Sequence, residues 1–584
     1  IRILNKKNYD LSNSVAFKEL LIWRMFMAIL TSISAQFIFM SSVILIINFR
    51  IMHPLSWLTN TWIAVTSFRT WSYFLILATV IFLQGLICSK EYLNAPIYRK
   101  SRFSIICGMF KPHNILVCGL HVLVGGVLVW LHLSLQDGRH SSMTVKCNGE
   151  ETCLVEEYLF LMLSGLWIGL YFFIKSNFFT IRIQFPIIPR SKFSQIKYGI
   201  RSLLPEAMIN AVSPVLFFIF IYYVDGGYCR ETILSVFSIQ MKDAPMDTIY
   251  GLLNISLIFY SWLFASLFVL TMNTMHLSFQ AHLTQRVVFD IEQRNAFIDQ
   301  GSCLALADAL AMDRIPIIQH LAYFDLVTLA QKEQDRRSVL FTLSTPGCRP
   351  CNWNSIAVKC MGLINNFTME LSQTCATSQK LLSNTTDVLT ASGKLVDNSY
   401  QYKMRSLTTS KLLSSAKEET PVKQNSNGEQ SFLAQFWKSK RDLFVSYLFS
   451  KPLIRYVFEE SMEEKIRHIF INAQPVIWAA EGISSLIVIS LKEDRYGVIQ
   501  QDLPAIIGTL LALKEALDKL HKANVFVKRT QSDDKETRHM IVCLRSATKR
   551  SIYRITTTFK DYIKDLPLEL DVVAQLQSFL SYRE

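Results

Sequence analysis

Six long apolar stretches dominate the first half of the chain, each free of Asp, Glu, Lys and Arg. They lie at residues 25–49, 71–89, 115–136, 158–174, 207–224 and 250–271. A helix of about 20 apolar residues crosses roughly 30 Å of hydrocarbon. The first stretch is longer than a signal-peptide core and is expected to stay in place, and Pro214 is expected to kink the fifth. A single stretch of this kind fits a soluble core, but six predict a membrane domain over residues 25–275.

Lysine and arginine are distributed unevenly among the segments that flank these stretches. The segment 1–24, the second loop and the fourth loop contain five, five and six of them. The first, third and fifth loops contain two each. Because Lys and Arg are retained on the cytosolic side of a membrane, both termini are expected to be cytosolic.

The second half of the chain has the pattern of a soluble helical protein. Apolar residues recur at helical spacing from 317 to 341 and stop at a Pro-Gly turn near 346. Residues 383–430 are rich in Ser, Thr, Lys and Asn, which predicts a flexible linker between a cytosolic helical region, 276–382, and a C-terminal helical domain, 431–584. In that domain Asp502 is the expected N-cap of a helix whose buried face comprises Leu503, Ile506, Ile507, Leu510, Leu513, Leu517 and Leu520. The predicted fold class is all-α, with a six-span transmembrane helical domain followed by a cytosolic helical domain.

Composition excludes several classes of protein. Of the 584 residues, 51% are hydrophobic and 18% are charged, which rules out a disordered or fibrous chain. The net charge of +14 is not concentrated in the dense basic face of a nucleic-acid reader, so no direct contact with nucleic acid is expected. Nucleotide-binding loops, serine-hydrolase and zinc-protease signatures and the dinucleotide fingerprint are missing from the sequence. We therefore expect no enzyme activity, no cofactor and no metal.

Ionisable groups inside a membrane usually mark a transport pathway. The six stretches contain only His121 and His132, both in the third. This scarcity favours an anchor over the alternative function, a multi-pass transporter or channel for small molecules. A membrane-bound acyltransferase that uses one of the histidines as its base is a third possibility. Because neither has an evident carboxylate partner, a structural role is the preferred interpretation.

Two groups of cysteines are candidate sites. Cys348 and Cys351 form a CxxC pair with Cys360 nearby. A zinc site needs four ligands and a redox pair should open a helix beside a sheet, whereas this pair lies in a Pro-rich turn, so coincidental thiols are preferred. Cys147 and Cys153 close a short acidic sequence in the third loop. The predicted orientation places this loop in the lumen, where oxidation is permitted, so the pair is either a local disulfide or two free thiols.

Two helical patterns indicate contacts. A GxxxG sequence from Gly165 to Gly169 lets another helix approach the fourth stretch closely. The apolar face of residues 432–449 fits either a helix on the membrane surface or one packed on the cytosolic domain. The basic side chains of Lys440 and Arg441 lie at the edge of the apolar arc or within it, as expected if they reach toward lipid headgroups. The residues expected at such a membrane surface are Phe432, Phe436, Trp437, Lys440, Arg441 and Phe444.

Several strings of residues resemble one family. In the membrane half they are MHPLSWL at 52–58, FPII at 185–188, DT at 247–248 and GLLN at 251–254. In the C-terminal half they are NW at 352–353, IWAAEG at 477–482, EDRYGV at 493–498, LPAI at 503–506 and IYRITTTF at 552–559. Over nearly the whole chain this pattern resembles the nuclear division cycle transmembrane nucleoporins. The predicted linker is shorter than expected for vertebrate members.

This resemblance implies a function that composition does not give. Members of the family sit in the pore membrane of the nuclear envelope and help to assemble and anchor nuclear pore complexes; in fungi they also help to insert spindle pole bodies. The implied partners are membrane lipid, the WD-repeat nucleoporin ALADIN and inner-ring nucleoporins. Their binding residues are expected within 431–584. The chain has no Phe-Gly dipeptide, as expected for an anchor rather than a component of the permeability barrier.

Overall fold

The computed structural model describes most of both halves of the chain. The described residues are 2–49, 52–93, 101–135, 143–146, 152–178, 191–237, 240–241, 246, 248–291, 305–313, 315–342, 350–391, 451, 456–458, 462–522 and 532–581.

Helices form the membrane half. They are α1 (Arg2–Ile47), α2 (Pro54–Thr66), α3 (Phe68–Leu93), α4 (Arg102–Met109), α5 (Pro112–Leu135), α6 (Glu156–Phe178), α7 (Lys192–Asn210), α8 (Val212–Phe237), α9 (Ile249–Leu252) and α10 (Ile255–Leu283). Six stretches among them are long and apolar enough to cross a membrane: Glu19–Ile47, Phe68–Lys90, Pro112–Leu135, Glu156–Asn177, Lys192–Val236 and Ile255–Leu283. Each overlaps one of the six predicted spans.

The fifth of these stretches is interrupted near its second proline, Pro214, whereas its first, Pro205, lies inside α7. Helix α7 ends at Asn210 and α8 begins at Val212, two residues before Pro214. Proline lacks the N–H that would continue the helical hydrogen bonds, and its ring clashes with the preceding turn. The break therefore lies where the sequence predicts a kink.

Helices α5 and α6 pack along a row of glycines. A Cβ atom built on Gly125 would lie 2.2 Å from the backbone oxygen of Gly165, and one built on Gly169 would lie 2.3 Å from that of His121. Only glycine permits so close an approach of two backbones. The GxxxG sequence of α6 is thus used within the chain.

Among its described residues, the C-terminal half has a short 3-10 helix (Ile563–Asp565) and nine α-helices. The α-helices are α11 (Leu306–Leu310), α12 (Pro316–Lys332), α13 (Gln334–Leu340), α14 (Cys351–Ala391), α15 (Met462–Ile471), α16 (Ala473–Glu493), α17 (Leu503–Lys522), α18 (Ser532–Thr558) and α19 (Leu570–Leu580). Helix α16 is central and packs on α12, α14 and α18. All seven apolar residues predicted for the inner face of α17 are buried. Their core is continuous with that of the membrane half.

Strands among the described residues are short. They are β1 (Thr144–Lys146), β2 (Thr152–Leu154) and β3 (Gln240–Met241). Strand β2 pairs antiparallel with β1 and parallel with β3, so the third and fifth loops meet in one sheet. The all-α class predicted from the sequence is confirmed.

Helix α16 is a seventh stretch long and apolar enough to cross a membrane. In its most apolar part 72% of the residues are buried inside the protein, against 28% to 61% in the six stretches of the membrane half. A helix that is apolar and covered by other helices on most sides is typical of a protein core.

The predicted linker begins inside a helix. Helix α14 continues to Ala391, nine residues beyond the predicted boundary at 383. Residues 392–430, and with them the rest of the predicted linker, lie outside the described residues.

Candidate functional site

Arg24 ties the first membrane helix to the end of the last one. Its guanidinium donates hydrogen bonds to the backbone oxygens of Gln285 at 2.8 Å, Arg286 at 3.4 Å and Leu283 at 3.5 Å. The last carbonyl groups of a helix have no partner within it. Arg24 therefore caps the C-terminus of α10, where a positive charge also complements the helix dipole.

A buried carboxylate, Asp325 of α12, holds the segment that follows α10. Its oxygens accept hydrogen bonds from Arg286 at 3.0 Å and Arg336 at 2.8 Å. The backbone N–H of Phe289 donates a third, at 3.1 Å. A buried charge is costly unless it is paired and hydrogen-bonded, and here both oxygens are. The cluster fixes residues 286–289 on α12 and so joins the membrane bundle to the C-terminal helices.

The neighbouring Glu333 bonds both of these arginines. Burial raises the pKa of its carboxyl group, but the hydrogen bonds from Arg336 and Arg286 outweigh burial and hold that pKa below its usual value. The Glu333 carboxylate thus remains ionised at neutral pH. Sequence reasoning missed this cluster, although a lone Asp325 inside an apolar helical stretch was a signal for it.

A second buried ion pair lies deeper in the C-terminal half. Arg337 of α13 is buried and forms a bidentate ion pair with Glu493 at the end of α16. Its Nη2 and Nε atoms donate to the two carboxylate oxygens at 2.9 and 3.1 Å. Two parallel hydrogen bonds give such a pair a fixed geometry. The pair fixes the end of the central helix against α13.

The turn after α16 contains the string EDRYGV. The Asp494 carboxylate accepts hydrogen bonds from two backbone N–H groups of the turn, each at 3.1 Å. Gly497 has φ = +65°, a conformation that favours glycine. These residues build the turn, and the side chains of Arg495 and Tyr496 are exposed at its tip.

Helix α18 has one buried and one exposed face, and the string IYRITTTF belongs to both. Ile552, Ile555 and Phe559 are buried, whereas Tyr553 and Arg554 are exposed. We call the exposed face the α18 strip; it comprises Arg538, His539, Val542, Ser546, Arg550, Tyr553, Arg554, Thr557 and Lys560. Residues 538–560 include no Asp or Glu. Arg550 is paired with Glu481 of α16 at 2.5 Å, and the remaining basic residues make the strip a basic surface with an aromatic and an apolar side chain. Arg and Tyr are enriched at protein interfaces.

The chain returns to the membrane bundle at residues 456–458. The guanidinium of Arg102 on α4 lies 3.6 Å from the ring centroid of Tyr456 and donates a hydrogen bond to its backbone oxygen at 3.4 Å. The rings of Phe103 and Phe458 are 4.7 Å apart. Because α4 directly precedes α5, this contact lies at the end of a candidate span.

Glu156 ties together the opposite end of the bundle. It accepts hydrogen bonds from Arg230 and Tyr222 at 3.0 Å and from the backbone N–H of Met246 at 2.9 Å. Its side chain and that of Arg230 are only 2% and 10% exposed. The sequence placed both outside the spans, but α6 begins at Glu156 and α8 continues to Phe237. The complete helices α6 and α8 therefore include this ion pair, which lies beyond the limits of the predicted stretches.

His121 and His132 have structural contacts. The Nδ1 atoms lie 2.8 Å from the backbone oxygen of Val117 and 2.7 Å from that of Leu128, and His121 also lies 3.2 Å from the amide of Gln84. Within the described part of the chain, neither imidazole has a carboxylate partner. Both rings are buried, as expected for packing in a helical bundle.

The structure describes only some of the candidate cysteines. Cys153 in β2 is disulfide-bonded, while Cys147 and Cys348 lie outside the described residues. Cys351 is the first residue of α14, so the turn predicted around it ends at Pro350. Cys360 is fully buried, and burial raises the pKa of its thiol.

The remaining predicted sites are also not described. The candidate membrane-surface helix, 432–449, lies outside the described residues. Where the structure describes the chain, it brings no three metal-ligating side chains together.

Long apolar helices joined to a packed helical domain define an all-α membrane protein. The family profile described as nucleoporin protein Ndc1-Nup matches residues 19–577. Nucleoporin NDC1 of Homo sapiens is 26% identical, with 96% of this chain and 97% of the human protein covered. Nucleoporin Ndc1 of Drosophila melanogaster is 27% identical, with 97% and 99% covered. For Nucleoporin NDC1 of Danio rerio the identity is 25%, with 97% and 98% covered.

The chain belongs to the Ndc1 family of nucleoporins. It is accordingly a transmembrane nucleoporin of the nuclear envelope. The family is a structural component of the nuclear pore and not an enzyme, so the acyltransferase interpretation is dropped.

Proposed function

We propose that this protein anchors the nuclear pore complex in the nuclear envelope and helps to assemble it, by recruiting scaffold nucleoporins through its pore-facing C-terminal half. The observation that carries the proposal is the junction, where Arg24 caps α10 and Asp325 fixes the following segment on α12. A partner bound to the C-terminal helices is thereby held at a fixed place on the membrane. A transporter instead needs parts that rock against each other.

Contacts between loops support the proposed topology. At one end of the bundle, Arg69 in the first turn of α3 donates to the backbone oxygen of Ser134 at the end of α5, and the third and fifth loops share a sheet. At the other end, Arg24 and Arg102 contact residues that follow α10. This alternation is what six spans require, and the Lys and Arg bias makes the second end cytosolic.

Helix α16 belongs to the C-terminal domain in this proposal. It packs on α12, which precedes it in the chain, and on α18, which follows. A seventh span would separate these two helices on opposite sides of the membrane. In this proposal both termini lie on the cytosolic, pore-facing side.

The α18 strip is the proposed contact surface for partners. It is exposed, basic and rich in the residue types that dominate interfaces. A partner with an acidic face fits this charge. The WD-repeat nucleoporin ALADIN and inner-ring nucleoporins, implied by the family resemblance, are the proposed partners.

Lipid contact by residues 432–449 is a further part of the proposal. Tyr456 docks on α4 beside the membrane, and the segment 432–449 ends seven positions before it in the sequence. Substituting Phe436, Trp437 and Phe444 by Glu in the full-length protein should expose the segment to protease in membranes. Equal protection of variant and parent would favour a helix packed on protein.

We also propose Cys147 as the disulfide partner of Cys153. The register pairs Val145 with Cys153, and Cys147 follows only two residues later. Without reductant, Cys153→Ser should release one additional maleimide-reactive thiol and so should Cys147→Ser, while Cys107→Ser at an exposed free thiol removes one. If Cys153→Ser released a thiol and Cys147→Ser did not, Cys153 would have a disulfide partner other than Cys147.

Charge reversal on the α18 strip tests the partner surface. Arg554→Glu with Lys560→Glu in the full-length protein should reduce co-purification of scaffold nucleoporins from solubilised envelopes, because it opposes an acidic partner. The matched control is Lys492→Glu with Lys522→Glu, two exposed charges on α16 and α17, which should retain the partners. Equal recovery with both double variants would exclude the strip as the contact.

A further inference from the structure

Helix α2, which joins the first and second spans, exposes an apolar face. Leu55, Leu58, Trp62 and Ile63 are 79%, 53%, 71% and 65% exposed. At 100° per residue they lie within one arc of the helix. The opposite side carries Thr61, which is buried. Exposed leucine, isoleucine and tryptophan side chains in one arc indicate that this face contacts lipid or protein rather than water.

The depth of α2 follows from its contact with α1. The indole Nε1 of Trp57 donates a hydrogen bond of 2.8 Å to the backbone oxygen of Leu45. Leu45 lies 21 residues beyond Arg24 on one continuous helix, which is about 32 Å at 1.5 Å per residue. Arg24 marks the end of the bundle at the C-terminal domain, and the hydrocarbon is roughly 30 Å thick. Trp57 therefore lies at the far boundary of the hydrocarbon.

The hydroxyl groups on and beside α2 are hydrogen-bonded to the helix backbone, although Ser56, Thr59, Thr66 and the amide residue Asn60 are exposed. Residues 51–68 contain no Asp, Glu, Lys or Arg. Five hydroxyl groups donate to a backbone oxygen three or four residues back, those of Ser56, Thr59, Thr61, Thr66 and Ser67. A hydroxyl satisfied in this way does not need water. The helix thus presents a surface suited to a membrane.

We propose that α2 lies in the plane of the bilayer, within the leaflet remote from the C-terminal domain, with this apolar face against lipid. Its 13 residues reach about 20 Å, too short to span the hydrocarbon. The face is continuous with exposed apolar side chains of the adjoining spans, Phe49 before it and Phe68 after it, 56% and 89% exposed. Lipid that covers these spans also covers α2. The identification of this leaflet as the lumenal one rests on the proposed function; the contact of α2 with lipid does not.

Photocrosslinking of the full-length protein tests the proposal. A diazirine amino acid replaces Leu58, Trp62 or, as control, the exposed Tyr496 of the C-terminal half, and the protein is reconstituted in phosphatidylcholine vesicles. Lipid adducts are expected at positions 58 and 62 and not at 496. Adducts to protein or water alone at 58 and 62 would overturn the proposal. Since the vesicles hold no nucleoporins, the result is independent of scaffold recruitment.

A stability measurement gives a second readout. Leu58→Glu and Trp62→Glu remove little packing, because both side chains are more than half exposed. Against lipid, each Glu should lower the melting temperature in vesicles, since burying a charge in hydrocarbon is costly. Tyr496→Glu should leave it unchanged. Equal melting temperatures for all three variants would show that α2 faces water.

Discussion

The indole Nε1 of Trp353 donates a hydrogen bond of 2.9 Å to the carboxylate of Asp502, 149 residues further along the chain. Trp353 is fully buried near the start of α14, and Asp502 directly precedes α17. The sequence predicted that Asp502 caps α17 with its side chain. Its described side-chain bond is instead tertiary and ties together two helices on either side of the undescribed segment.

Removing this bond should destabilise the C-terminal half. Trp353→Phe keeps an aromatic ring but leaves the half-buried carboxylate without its donor, at a cost of about 1 kcal/mol, the lower end of the range for an unsatisfied group. Thermal unfolding of the full-length protein in nanodiscs measures the change. Asp502→Asn retains an oxygen acceptor and should cost less; a larger loss for Asn than for Phe would contradict this account of the pair.

The glycine row between α5 and α6 should not tolerate a methyl group. Gly125→Ala places a Cβ 2.2 Å from a backbone oxygen, so the helices must separate and the melting temperature should fall. Gly119→Ala, on the same helix with nothing within 4 Å of its Cβ, is the control and should leave stability unchanged. A similar effect of both substitutions would argue against close packing of α5 on α6.

The junction should depend on Asp325. Asp325→Ala leaves the backbone N–H of Phe289 without its acceptor, while Arg286 and Arg336 keep only Glu333 as carboxylate partner. Breaking a buried pair costs about 3–5 kcal/mol; since the arginines are partly exposed and retain Glu333, the lower value is expected. Limited proteolysis should then cut residues 284–291 faster than in the parent. Asp335→Ala on the exposed side of α13 should not change the cleavage rate. An unchanged cleavage rate with Asp325→Ala would contradict the claim that Asp325 fixes the segment after α10 on α12.

Glycosylation in microsomes tests the orientation. Asn366 and Asn384 satisfy the acceptor sequence, and Asn366 is exposed on α14, so location rather than burial should keep it unmodified. A new acceptor sequence within residues 138–150 should add an endoglycosidase-sensitive glycan. Glycan on Asn366 or Asn384 would place the C-terminal half in the lumen.

Much of the architecture could be predicted, because hydrophobic length and periodicity are local properties of a sequence. The six apolar stretches and the inner face of α17, from Leu503 to Leu520, follow directly from such patterns. The span limits at Glu156 and Arg230 could not be predicted, since two charges that neutralise each other across 74 residues look in sequence like the ends of spans.

The candidate site was harder to predict for the same reason. Asp325, Arg336 and Glu493 gain their roles from partners that only the fold brings near. The apolar composition of α16 does not distinguish a membrane span from a core helix; its packing on α12 and α18 does. The exposed face of α18 likewise became visible only when its other face was seen to be buried.

Crosslinking mass spectrometry of the full-length protein in isolated nuclear envelopes tests the central claim most directly. An amine-reactive crosslinker reaches the exposed Lys492, Lys522 and Lys560 of the C-terminal half. The account predicts that crosslinks to scaffold nucleoporins concentrate in residues 456–581, with Lys560 at the end of the α18 strip among them. Crosslinks to scaffold nucleoporins confined to residues 1–291 would contradict recruitment through the C-terminal half.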